Sequence, residues 1–235
     1  MRYAIYFTPP AYDPLTLAAA QWLGRNAFSG EAMEPPAIRG IGIHDIAFNT
    51  ALPRRSGFHA TLKSPFRLAP GVTEQALLRH LMRFAGAHDP FDLPRLEVVR
   101  LGNFFGLAPV LPCETMRFLA AAVVQEFDAF RAPLSEAELE RCDPGDLTAP
   151  QFANLHRWGH PYVMDEFRFH MTLTGPLSAI DMQRFELALR DHFEPFLRKP
   201  VEVANLALFV EEEQGAPLLV HSLHPMGRVA SRKIA

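Results

Sequence analysis

With 235 residues, 49% of them hydrophobic, the chain has the material for one large or two small domains around a substantial core. Its 23 Lys and Arg are nearly balanced by 26 Asp and Glu, so no global basic field exists to hold a long nucleic acid, although a local cluster can hold a small anion. Cys113 and Cys142 stand far apart without a CxxC pattern, which argues for reduced structural thiols rather than a disulfide framework or a zinc site. The apolar run at the start is too short for a signal peptide, and no run of roughly 18 apolar residues follows; the expectation is a soluble cytoplasmic protein that does not enter a membrane.

Arg2 to Thr8, rich in Tyr, Ile and Phe and cut off by Pro9-Pro10, reads as a strand with Tyr6 and Thr8 facing away from Ile5 and Phe7. Asp13-Pro14 then caps a helix over Leu15 to Asn26, where Leu15, Ala18, Ala19, Trp22 and Leu23 recur at helical spacing. Residues 29–56 carry little pattern, although Ile41 to Phe48 reads as a short strand. A strand over Phe58 to Lys63 is ended or bulged by Ser64-Pro65. Thr73 caps a helix to Ala87 with Leu77, Leu78, Leu81 and Phe84 on one stripe, and Phe91 to Leu101 is strand-like.

A second cycle repeats this order. Asn103 to Leu111 is a strand stopped by Pro112, and Glu114 to Phe130 is an amphipathic helix. A polar insertion follows, with short helices near 135–142 and 148–157. Another strand ends at Thr174 before Gly175-Pro176; then come a helix from Ile180 to Leu197 and strands near Val201 to Val210 and Pro217 to Ser222. Both halves read strand, helix, insertion, strand, helix, strand. The predicted fold is therefore α+β, a single bilobal domain over 1–235 with approximate halves 1–102 and 103–235. It is a duplicated two-lobed arrangement, with antiparallel sheets flanked by helices around a central cleft.

At the matching step of each half stands the same pattern, Phe58-His59-Ala60-Thr61-Leu62-Lys63 and Phe169-His170-Met171-Thr172-Leu173-Thr174. A period of two puts His59, Thr61 and Lys63 on one face of a strand, and sorts His170, Thr172 and Thr174 in the same way. One His-x-Thr alone is a weak signal, ordinarily a strand histidine satisfied by nearby hydrogen bonds. Two copies, each after Phe and each continuing with Leu and a polar residue, point instead to two imidazoles turned toward one ligand. Histidine has an ordinary pKa near neutrality, so such a pair can supply both a base and an acid.

These residues resemble the twin histidine-x-threonine/serine signature of the two-histidine (2H) phosphoesterase superfamily, which includes RNA ligase-like cyclic phosphodiesterases. The resemblance covers most of the chain. The text Arg2-Tyr3-Ala4-Ile5-Tyr6-Phe7, with Phe167-Arg168-Phe169-His170-Met171-Thr172-Leu173-Thr174-Gly175, looks like the bacterial branch associated with phosphonate-utilisation gene clusters. It implies a hydrolase, a cyclic phosphodiesterase that needs no metal and no cofactor, with His59 and His170 as the acid/base pair. Thr61 and Thr172 would donate hydroxyls to the phosphate oxygens and stabilise transition-state charge. Which histidine is the base is not readable from the sequence.

Further candidates for substrate binding are Lys63 and Thr174 at the strand ends, Arg168 on the face of His170, and Tyr6 and Tyr162 as stacking or hydrogen-bonding aromatics. Each has an ordinary reading as a surface charge or a packed side chain. The run Trp158-Gly159-His160-Pro161-Tyr162 has turn character and can form a lid, while His156 and His160 at i, i+4 lack the Glu of a metalloprotease helix. The expected partner is a small phosphorylated substrate, such as a phosphorylated ribose cyclic phosphate. The alternatives are an RNA or nucleotide 2′,3′-cyclic phosphodiesterase and a non-catalytic module that binds a phosphorylated metabolite. The oligomeric state is left open.

Overall fold

The structure, a computed structural model, describes residues 1–140 and 144–227. Cys142 and the end of the helix expected over 135–142 lie outside the described residues.

The first half begins with β1 (Arg2–Phe7), α1 (Pro14–Leu23), α2 (Ile43–Asn49) and α3 (Ala51–Ser56). It continues through β2 (Ala60–Phe66), α4 (Glu74–Gly86), β3 (Phe91–Leu93) and β4 (Leu96–Leu101). The second half runs β5 (Phe104–Pro109), α5 (Glu114–Glu126), α6 (Glu136–Glu140), α7 (Ala149–Trp158), β6 (Met171–Thr172) and α8 (Ala179–Phe193). Strands β7 (Val201–Val203), β8 (Asn205–Glu211) and β9 (Leu219–Pro225) follow. The protein is α+β, and every strand pair is antiparallel.

The order of β1 to β4 repeats in β5 to β8, and the pairing repeats with it, while β9 is an added strand beside β8. One sheet has the order β2-β1-β8-β9 and the other β4-β5-β6. In each, the opening strand of one half pairs with its own motif strand on one side and with a late strand of the other half on the opposite side. The remaining pair, β3 with β7, joins the two halves directly. The sequence halves are therefore interleaved rather than laid side by side, and β2 and β6 are both edge strands that contact each other where the two sheets meet.

Local chemistry explains most boundaries. Asp13 accepts from the Leu15 amide at 2.8 Å and Pro14 opens α1, while Gly24 at φ 78° closes it three residues before the expected end. Thr73 caps α4, and Thr148 with Gln151 forms a reciprocal capping box on α7. The strand expected over Ile41 to Phe48 is instead helical. Its apolar run turns Ile46 inward while Phe48 stays exposed, and a short run of this kind does not distinguish strand from helix until it packs. The core between helices and sheets includes Trp22, Leu77, Phe105, Phe127, Phe185 and Phe193, each fully buried.

Candidate functional site

His59 and His170 each stand one residue before an edge strand, at the entry to β2 and β6. Both rings are held in the same way. His59 Nδ1 lies 2.9 Å from the Gly57 carbonyl and His170 Nδ1 lies 2.9 Å from the Arg168 carbonyl, in each case the oxygen two residues back. A carbonyl only accepts, so Nδ1 carries the proton in both neutral rings and Nε2 is left with its lone pair. His59 Nε2 meets Thr61 Oγ1 at 3.2 Å, and His170 Nε2 has no partner among the described residues. Glycine at 57 is required by its φ of 76°, and a Cβ there would come within 2.5 Å of Ala27.

The period of two holds for the first two polar residues of each motif and fails at the third, for one physical reason. In β2 the register steps from Tyr6 opposite Thr61 to Ile5 opposite Lys63, leaving Leu62 as an extra residue. In the second motif the amides of Leu173 and Thr174 both donate to the Phe105 carbonyl, again two residues against one. Each bulge turns the third polar side chain away from the histidine face. Lys63, expected to face a ligand, is only 2% exposed and donates to the Val124 carbonyl at 3.1 Å and to Asp128 at 3.4 Å. Burial lowers its ammonium to about 8 while Asp128 pulls it back up. Thr174, likewise expected in the site, is fully buried and accepts from the Phe105 amide at 3.0 Å. Asp128→Asn leaves the buried ammonium poorly matched and is expected to cost about 1–3 kcal/mol, read as a lower denaturation midpoint at unchanged slope.

Tyr6, expected as a ligand contact, has a different place. It is 2% exposed, and its ring stacks on His59 with centroids 3.8 Å apart and an angle of 16°. It is the floor under the imidazole and holds its plane. Thr172 is half-buried and pairs with Gly106; a Cβ at Gly106 would sit 2.9 Å from the Met171 carbonyl, so only glycine lets β5 approach the second motif this closely.

A cavity of about 450 Å³ brings Thr61, His170, Arg168 and Tyr162 together. Arg168 is exposed, and its Nη1 donates to the Asp165 and Phe167 carbonyls at 2.7 and 2.8 Å. Tyr162 is 52% exposed at the rim. Leu62, Leu101, Phe104, Val163 and Phe167 complete an apolar wall. Among the predicted site residues, then, Thr61, His170, Arg168 and Tyr162 line one cavity, His59 and Thr172 stand outside its lining, and Lys63 and Thr174 serve the interior.

His160, read from the sequence only as part of a lid or a weak metal spacing, lines the same cavity. His156 does not accompany it: that ring packs on Phe152 and borders a separate cleft beside Asp128 and Arg131. Burial, with a smaller contribution from the neighbouring His170, pushes His160 down to about 4. Burial likewise pushes His59 down to about 4; the Gly57 hydrogen bond opposes this and His170 adds to it. The two imidazoles of the motif thus lie close enough for charge on one to act on the other.

Residues 61–219 match the family described as "Protein of unknown function (DUF1045)". The chain belongs to this family. The match takes in Thr61, His160, His170 and Thr172 and starts just after His59. Two curated relatives are both called "Ribose 1,5-bisphosphate phosphokinase PhnN". One, from Janthinobacterium sp. (strain Marseille), is 39% identical over 222 residues, covering 93% of this chain and 49% of the relative. The other, from Laribacter hongkongensis (strain HLHK9), is 36% identical over 222 residues, covering 92% and 50%. The chain spans about half the length of these relatives. Among the described residues, no helix is long and apolar enough to cross a membrane.

For this DUF1045 chain the depressed histidines set a pH dependence of stability. A histidine in the unfolded chain titrates near 6.5, whereas folded His59 and His160 take a proton only near pH 4. Between those values the folded state binds fewer protons, so their contribution is complete above about pH 6.5 and is lost as pH falls toward 4. Thermal melts from pH 7 to pH 4 are expected to show a falling midpoint, with a shallower fall in His59→Gln. A midpoint that rises on acidification contradicts the assignment.

Proposed function

We propose that this chain is a phosphodiesterase of the two-histidine type, hydrolysing a small cyclic phosphate or phosphodiester without a metal. The observation that carries the reading is the matched tethering of His59 and His170, each with Nδ1 on a carbonyl, leaving Nε2 of His170 unpartnered among the described residues and Nε2 of His59 against Thr61 Oγ1. In this reading His59, neutral at physiological pH because burial lowers it to about 4, is the base. It takes the proton of the attacking water through Nε2, and His170, entering the step as the imidazolium, gives its Nε2 proton to the leaving oxygen from the other side and ends neutral with Nδ1–H on the Arg168 carbonyl. On substrate binding Thr61 turns its hydroxyl from His59 Nε2 to a non-bridging phosphate oxygen, which frees Nε2 for the water, and Thr172 on the other strand donates to a second one. Arg168 and Tyr162 contact the rest of the substrate from the cavity wall.

The substrate we favour is a phosphorylated ribose cyclic phosphate. The relatives' name refers to ribose 1,5-bisphosphate, a phosphorylated pentose, and the sequence resembles a branch tied to phosphonate utilisation. A nucleoside 2′,3′-cyclic phosphate is the second reading, supported by the apolar and aromatic wall of Leu101, Phe104, Phe167 and Tyr162. We assign the phosphokinase activity in the relatives' name to the half of them that this chain does not match. The Gly-x-x-x-x-Gly-Lys-Ser/Thr loop that cradles nucleotide phosphates occurs nowhere in its 235 residues.

Purified protein in the presence of a chelator is expected to open ribose and nucleoside cyclic phosphates to monoesters, followed by phosphorus NMR. Binding of the same compounds without any turnover would leave only the non-catalytic module.

A further inference from the structure

We propose that His160 is a third ligand-contacting histidine of the cleft, delivered by the insertion between α5 and β6 and positioned by Arg131. This rests on the reading of the cleft as a phosphate-ester site, and it gives the insertion a function beyond covering it. His160 lines the cavity shared by Thr61, Arg168 and His170, and among the described residues neither of its ring nitrogens has a hydrogen-bond partner. Its one ring contact is with Tyr162, edge to face at 5.7 Å. The half-buried imidazole keeps its unpaired nitrogens open to the cavity, where the oxygens of a bound ligand can take the place of water. Burial keeps it neutral, so it can donate one hydrogen bond and accept another.

The loop that carries His160 is fastened at several points. Gly159 ends α7 in the left-handed region at φ 77°, and Arg131 lies so close that a Cβ on Gly159 would meet its Cδ and Nη1 at 3.1 Å. Arg131 donates to the Arg157 carbonyl at 3.1 Å and to Asp128 at 3.0 Å, and Asp128 is also the partner of buried Lys63 in β2. Asn154 of α7 donates to the Pro161 and Val163 carbonyls at 3.2 and 3.1 Å. The third polar residue of the first motif, turned inward by its bulge, is thus the far end of a charged chain that runs Lys63, Asp128, Arg131 to the turn before His160. Glu166, the carboxylate in the cavity wall, is held by Gln151 at 2.8 Å rather than by either histidine.

The test is a titration of the isotope-labelled 235-residue chain with inorganic phosphate, following the ring resonances of His59, His160 and His170 assigned from H59Q, H160Q and H170Q. The three rings are expected to move with one dissociation constant, and H160Q to weaken phosphate binding about tenfold, the value of one hydrogen bond to a charged group. R131Q is expected to displace the free-state His160 resonance and weaken binding severalfold, with the His59 and His170 resonances in place. Movement of His59 and His170 with His160 still overturns the proposal and leaves the phosphoesterase reading standing. Movement of all three with no hydrolysis of any cyclic phosphate removes the hydrolase reading and leaves His160 in its role, and no movement at all removes both. The wild-type titration decides even where R131Q fails to fold.

Discussion

Replacing either His59 or His170 by alanine is expected to lower kcat on a cyclic phosphate about 10²- to 10⁴-fold, the ordinary worth of a positioned acid or base. The double replacement is expected to cost little more than the worse single one, because base and acid act in one step. Since burial and the His170 charge hold His59 near 4, the acid limb of kcat/KM for the free enzyme is expected near pH 4. An unperturbed histidine would place that limb near 6.5. Steady-state rates from pH 3.5 to 9, with circular dichroism to verify the fold of each variant, provide the check. An acid limb near 6.5 in the wild type would move the base from His59 to another group. Rates that survive both substitutions would reduce the pair to a structural role.

Trp22→Ala is expected to cost about 3–5 kcal/mol of stability, the range for deleting a buried tryptophan. Trp22 is fully buried, packs edge-on against Phe185 and Phe193, and donates from Nε1 to the Leu173 carbonyl at 2.9 Å. That carbonyl belongs to the bulge residue of the second motif. The loss therefore reaches the site: the midpoint of thermal melting is expected to fall by about 10 °C, and the surviving folded protein to show reduced turnover. Trp22→Phe separates the two contributions, since it keeps most of the packing and removes only the hydrogen bond, for about 1–2 kcal/mol. A Trp22→Ala protein that melts within a degree or two of wild type would show that α1 is not the brace of this strand.

How the two motifs became legible in the sequence has a simple basis. Histidine and threonine at positions two apart must share a strand face whenever the residue between them packs inward, and Ala60 and Met171 do. The matching order of strands and helices was equally readable, because capping residues such as Asp13, Thr73 and Thr148 and the stripes on α1, α4 and α5 are local signals. Local signals end where pairing begins. The inward turn of Lys63 and Thr174 depends on bulges against β1 and β5, strands distant in the chain, and no periodicity in either motif announces them. Tyr6 was readable as a strand aromatic, yet its role as the floor of His59 comes from the β1–β2 register.

The same division applies to the site as a whole. By itself the sequence determined that the protein is α+β, that its halves repeat one order, and that each half offers one histidine and one threonine on a common face, because side-chain periodicity and capping are set within a few residues. Only the tertiary structure decided that β2 and β6 are neighbouring edge strands, that the halves exchange strands, and that His160 reaches the cavity of His170. Those facts follow from long-range strand pairing and from Arg131 and Asn154 fastening a loop whose bonds run between side chain and backbone across 7 to 26 residues, beyond the reach of any periodic signal.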